Sequence, residues 1–94
     1  MLKKLRIKKS ELIWDGWNIK HIAKHNVTKL EVESALEYLV TYKRGYSNRL
    51  ILIGRSGKRI LSIIVAKDKT GLYYVVTARN ADKKERRLVY EKEK

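Results

Sequence analysis

His21 and His25 stand four residues apart, a spacing that places both imidazoles on one face of a helix, beside Lys20 and Lys24. Such a pair can bind zinc. The intervening Ile22-Ala23-Lys24 lacks the glutamate of a zincin, however, the chain has no cysteine, and no third ligand is evident. The alternative chemistry is proton transfer near neutral pH, with a structural or merely exposed histidine as the plainer role.

The C-terminal segment holds the second group of reactive side chains. At about 100° per residue, Ala81, Glu85, Leu88 and Val89 share one helix face, and Lys83, Arg86 and Tyr90 share the opposite one. A carboxylate in an apolar stripe needs a partner, and Arg79 or Arg55 could supply it. Glu85 is therefore expected to orient a guanidinium rather than to act as a base. The Lys83/Arg86/Tyr90 face has the composition of a phosphate site, or of an ordinary solvated helix face.

Charge says which ligand such groups would meet. Twenty-three Lys and Arg against ten Asp and Glu give a formal net charge of +13, which steers polyanions toward the protein. Between Glu37 and Asp68 there is no acidic residue, while Lys43, Arg44, Arg49, Arg55, Lys58, Arg59 and Lys67 all fall there. Cations placed for solubility alone are normally interspersed with acids. RNA is the polyanion that this inventory could also cleave: a 2′-hydroxyl attacks the adjacent phosphate, cations stabilise the transition state, and Tyr, His or Lys moves the protons. Neither a metal nor another cofactor is called for. Trp14, Trp17 and the six tyrosines could stack on bases, although tryptophan more often packs in a core.

The elements that must position these groups are legible in the pattern. Residues 1–10 carry Lys3, Lys4, Arg6, Lys8 and Lys9 and read as a basic N-terminal extension. Ser10 to Trp14 reads as a short strand. Asp15 then caps a helix from Trp17 to Asn26, where Asn26 can adopt the left-handed conformation. Thr28-Lys29-Leu30-Glu31 is a capping box opening a second helix. Its apolar stripe Val32, Ala35, Leu36, Leu39 and Val40 predicts a helix closed by Gly45. Asn48 to Arg55, Arg59 to Lys67 and Leu72 to Thr77 read as three strands, and their short connections require an antiparallel meander. Asn80 is expected to cap a last helix. The sum is one compact α+β domain over residues 1–94, strand-helix-helix-three strands-helix, with the helices gathered on one side of the sheet.

Several of these segments resemble the BrnT-type toxins of bacterial type II toxin–antitoxin modules. The similar stretches are Trp14-Asp15, Lys24-His25-Asn26-Val27, Arg49 to Arg55, Arg59 to Val65, and above all Val75 to Tyr90 with its Ala78-Arg79-Asn80-Ala81 and Glu85-Arg86. The resemblance spans roughly residues 13 to 92. Asn26 stands where the family commonly has glycine. The resemblance implies a RelE-like ribonuclease fold, mRNA cleavage that arrests growth, and a cognate DNA-binding antitoxin as partner. Carried over by position, Arg55 and Arg79 would stabilise phosphate and transition state, Tyr90 or His25 would transfer protons, and Arg86 would position RNA. Lys43, Arg44, Arg49, Lys58, Arg59 and Lys83 complete the expected RNA-binding set.

The second reading is a non-catalytic nucleic-acid-binding module on the same fold. Binding at a membrane surface ranks lowest, because no helix combines a basic face with an exposed bulky apolar one. No apolar run is long enough to span a bilayer, no apolar stretch follows the basic start as in a secretory signal, and the absence of cysteine fits the expected reducing, cytoplasmic location.

Overall fold

The computed structural model describes residues 5–94; the basic extension at Lys3 and Lys4 lies outside the described residues. Of its remainder, Ile7 is buried in the core, and Lys9–Glu11 forms a turn of 3-10 helix. The elements that follow are β1 (Leu12–Ile13), α1 (Gly16–Ala23), α2 (Lys29–Glu37), β2 (Leu39–Arg44), β3 (Arg49–Ser56), β4 (Arg59–Lys67), β5 (Tyr73–Asn80) and α3 (Lys83–Lys92). They build one five-stranded sheet in the order β1-β5-β4-β3-β2, antiparallel throughout except for the parallel pair β1 and β5.

Each helix starts where a short acidic or hydroxyl side chain can take up a free backbone N–H. Asp15 accepts from the Asn18 amide, Thr28 from Glu31, and Asp82 from Glu85, and all three starts are reciprocal capping boxes. The last helix is thus capped by Asp82 and not by Asn80, which still belongs to β5. Asp82 has Glu85 three residues on to close the box, and Asn80 has no such partner. The turn after α1 closes through Asn26 at φ +58°, the conformation its amide side chain tolerates.

The α2 stripe continues on paper to Val40, but the helix stops at Glu37 and Leu39–Arg44 becomes a fourth antiparallel strand. Val40-Thr41-Tyr42 is a β-branched and aromatic run, and pairing with β3 satisfies its backbone along an otherwise open edge. Gly54 shows how closely the two layers meet. A Cβ built there would lie 2.0 Å from the Ala35 carbonyl oxygen, so α2 rests directly on the backbone of β3.

Alternation along the strands then divides the interior in two. Leu52, Leu61, Ile63 and Val65 face α1 and α2 with Ile22, Val32, Ala35 and Leu36. Ile53 and Ile60 point the other way and pack with Ala81 and Val89 of the α3 segment. The third helix therefore covers the opposite face of the sheet, and the helices are not gathered on one side. The core residues of α3 are few, because Glu85 occupies a position that a purely apolar stripe would fill.

Candidate nucleic-acid interface

Glu85 is 3% exposed, and every contact that it makes organises the junction of β5 and α3. Its carboxylate accepts from Arg79 Nη1 at 3.1 Å, from the Asp82 amide at 2.8 Å and from Ser62 Oγ at 3.1 Å. A buried carboxylate held by a cation, a backbone N–H and a hydroxyl is satisfied in place. Arg79 spends a second hydrogen on the Asn80 carbonyl oxygen, at 3.0 Å, and its side chain stays 40% exposed. Beside it Arg86 donates to the Ala81 carbonyl oxygen at 2.7 Å, which folds the guanidinium back over the first turn of α3. Lys43 of β2 is also near enough to help hold the Asp82 carboxyl below its usual range, behind the Glu85 amide hydrogen bond and Arg79.

At the other end of α3, Arg55 makes a two-pronged ion pair with Glu93, its Nη2 2.8 Å from Oε1. That pair holds the Glu93 carboxyl below, and the Arg55 guanidinium above, their ordinary values. Tyr90 stands exposed on the same end of the helix and adds to the field at Arg55. Glu85 and Glu93 are eight residues apart, which along a helix is about 12 Å. Arg55 and Arg79 are consequently anchored at the two ends of α3. The fold brings Arg79, Glu85, Arg86 and Lys43 to one end of the helix and Arg55 and Tyr90 to the other.

The remaining expected RNA-binding residues are dispersed. Lys83 is exposed in the first turn of α3 and Lys58 in the β3–β4 turn. Arg44 and Arg49 line a groove of about 490 Å³ with Lys67, Asp68, Tyr42 and Tyr73 at the β2–β3 hairpin end of the sheet. Arg59 lies on the α1/α2 side with its guanidinium engaged: Nη1 donates to Glu31 at 2.6 Å and to the Asn26 carbonyl oxygen at 2.7 Å, and Nε and Nη2 reach Asn80 Oδ1. Its geometry is that of a clamp joining β4, α2 and the turn after α1.

His25 sits in that same turn, in a different layer from Arg79 and Tyr90. Its neighbours are aromatic. The His21 ring stacks on Trp17, centroids 4.8 Å apart and planes within 8°, and meets His25 edge to face at 5.6 Å. Trp17 and Lys20 belong to this group as well, and their i, i+3, i+4 relation to His21 was legible in the sequence. Among the described residues no cluster of three or more His, Cys, Asp or Glu side chains could hold a metal ion, so the two imidazoles have no third donor there. Nor is any helix of the described residues long and apolar enough to cross a membrane.

No family model matches the sequence, and no curated protein matches it either. The fold, however, is similar to the 1.1 Å crystal structure of the Brucella abortus ribonuclease toxin BrnT, with a TM-score of 0.61 and 25% identity over 77% of this chain and 96% of that one. The chain has the BrnT-type toxin fold. Nearly the whole of BrnT is therefore represented here, and the α+β plan expected from the sequence holds for this chain with two refinements, the added strand β2 and the placement of α3 on the far face of the sheet.

Proposed function

We propose that this protein is the toxin of a bacterial type II toxin–antitoxin pair, an endoribonuclease that acts on mRNA in the cytoplasm and is neutralised by a cognate, DNA-binding antitoxin. The observation that carries this reading is the BrnT-type fold, found on a chain of net charge +13 with an acid-free span from Tyr38 to Lys67. A phosphodiester backbone is the ligand that such a surface attracts.

In this reading Arg79 with Arg86 receives one phosphate of the strand and Arg55 another, with the Tyr90 hydroxyl beside it. The carboxylates of Glu85 and Glu93 keep the two guanidinium groups extended and aimed until RNA arrives. Cleavage proceeds by attack of a 2′-oxygen on its own 3′-phosphate, with Tyr90 in proton transfer and the arginines stabilising charge on phosphorus, His25 standing apart from them in the other layer. Incubation of the purified protein with single-stranded RNA tests this: fragments ending in a 2′,3′-cyclic phosphate are expected, and intact RNA would contradict it.

One observation favours the second reading, a module that binds nucleic acid without cutting it. Arg55 and Arg79 both engage carboxylates, and they stand at opposite ends of α3, apart from His25. Tight binding of RNA that stays intact would select that reading.

A further inference from the structure

Trp17, Lys20, His21, Lys24 and His25 follow one another at i, i+3, i+4, i+7 and i+8, the spacing that normally gives a helix its apolar stripe. Here the stripe faces outward, so that α1, against the expectation from the sequence, combines a basic face with an exposed bulky apolar ring. Trp17 is 59% exposed although Ile22 and Asn18 on the other side of α1 are wholly buried. The Trp17 ring is kept in a fixed plane by His21, and a shallow groove of about 220 Å³ lies between that stack and the stems of Lys20 and Lys24.

Along the sequence the charge of this stretch has one sign. No acidic residue occurs from Gly16 through Leu30. Asp15, next to the stripe, is occupied by the Asn18 amide at 2.9 Å and by the Tyr74 hydroxyl at 3.0 Å. An aromatic face set among cations is the combination that single-stranded nucleic acid meets on its binding proteins, base on ring and phosphate on ammonium. The edge-to-face imidazoles, with centroids 5.6 Å apart, add two proton carriers at one place. His25, separated by the fold from Arg79 and Tyr90, thus has a partner of its own kind.

We propose that the outer stripe of α1 and of the turn that ends it is where one nucleotide of single-stranded RNA binds and is cut. Trp17 stacks the base, Lys20 and Lys24 hold the phosphate, and His21 and His25 are the acid–base pair. The inference rests on the ribonuclease reading and assigns its proton transfers to these two residues, leaving Arg55, Arg79 and Arg86 to hold the flanking strand. One imidazole removes the proton of the 2′-hydroxyl as O2′ bonds to phosphorus. The P–O5′ bond breaks, and the other imidazole, protonated, delivers its proton to O5′. The products are a 2′,3′-cyclic phosphate and a free 5′-hydroxyl, and the pair of histidines has exchanged one proton in total. Lys20 and Lys24 offset the charge on the pentacoordinate phosphorus.

The test uses the full chain, a single-stranded oligoribonucleotide and its 2′-O-methyl analogue, which lacks the nucleophile. The analogue should quench tryptophan fluorescence in the wild type and not in Trp17→Leu, where Trp14 supplies the background. Lys20→Ala/Lys24→Ala should weaken binding and flatten its salt dependence by about 0.7 in log–log slope, the value for one phosphate contact on a single strand. His21→Ala and His25→Ala should each bind the analogue within about threefold of wild type yet cleave RNA about 100-fold or more slowly. Wild-type cleavage that persists in both histidine variants would overturn this placement and leave the ribonuclease reading standing. A wild type that binds and quenches but leaves RNA intact would remove the ribonuclease reading and the proton-transfer roles with it. Equal quenching by polyglutamate would reduce the stripe to a general anion surface and overturn the proposal.

Discussion

Arg79 and Glu85 are joined across the junction of β5 and α3 at 3.1 Å, the cation partly in solvent and the carboxylate buried. The pair both closes the fold and aims the guanidinium, so its two members should fail differently when changed. Glu85→Ala removes the acceptor of Ser62, of Arg79 and of the Asp82 amide together. A loss of about 2–3 kcal/mol is expected in urea unfolding. Arg79→Ala should leave the domain folded and abolish toxicity; a folded Arg79→Ala protein with full toxicity would remove that residue from the site.

Arg55 should respond to its own partner. Glu93 occupies the guanidinium that the RNA reading assigns to a phosphate. Glu93→Gln is expected to tighten RNA binding while leaving thermal stability close to wild type, since both groups are near the surface. An unchanged affinity measured by filter binding would mean that Arg55 does not meet the strand.

Acid should loosen the clamp made by Arg59. The hydrogen bond from Arg59 is the main reason that the Glu31 carboxyl titrates below its usual range. As pH falls through the ordinary carboxylate range near 4, the unfolded chain takes up the proton before the native one does. Stability from this group is complete above that range and is lost as pH drops through the folded value. The difference in melting temperature between wild type and Glu31→Gln should therefore be largest near neutrality and shrink toward pH 3. A constant difference would contradict the assignment.

Gly54 offers a test of the packing itself. Its missing Cβ is the space into which the Ala35 carbonyl fits. Gly54→Ala must push α2 off β3 and should cost about 3 kcal/mol or more. Stability within experimental error of wild type would mean that the two layers are not in backbone contact.

Much of this was readable from residue types alone, and the exceptions have physical causes. Capping boxes at Thr28/Glu31 and the αL turn at Asn26 are local chemistry, decided within a few residues, and they stand where the pattern put them. The end of α2 is not local. Leu39 and Val40 fit the helical stripe, and only the need of β3 for a partner turns them into strand. The choice of Asp82 over Asn80 as cap follows from a reciprocal contact with Glu85, a pairing visible in the sequence once both ends of the helix are considered. For the site, the partnership of Glu85 with either Arg79, which it has, or Arg55 was expected from a carboxylate in an apolar stripe. The separation of Arg55 from Arg79 was not, because it depends on which face of the sheet α3 crosses. Nor does charge alone reveal that Arg59 serves as a clamp to Glu31 while Lys58 beside it stays free in solvent.

Induced expression in bacteria, with growth followed and total RNA examined for fragments, tests the central claim most directly. Wild type should arrest growth and fragment RNA, and an Arg55→Ala/Arg79→Ala/Tyr90→Ala variant of confirmed folding should do neither. Normal growth with intact RNA from well-expressed, folded wild-type protein would contradict the ribonuclease toxin and leave a nucleic-acid-binding module in its place.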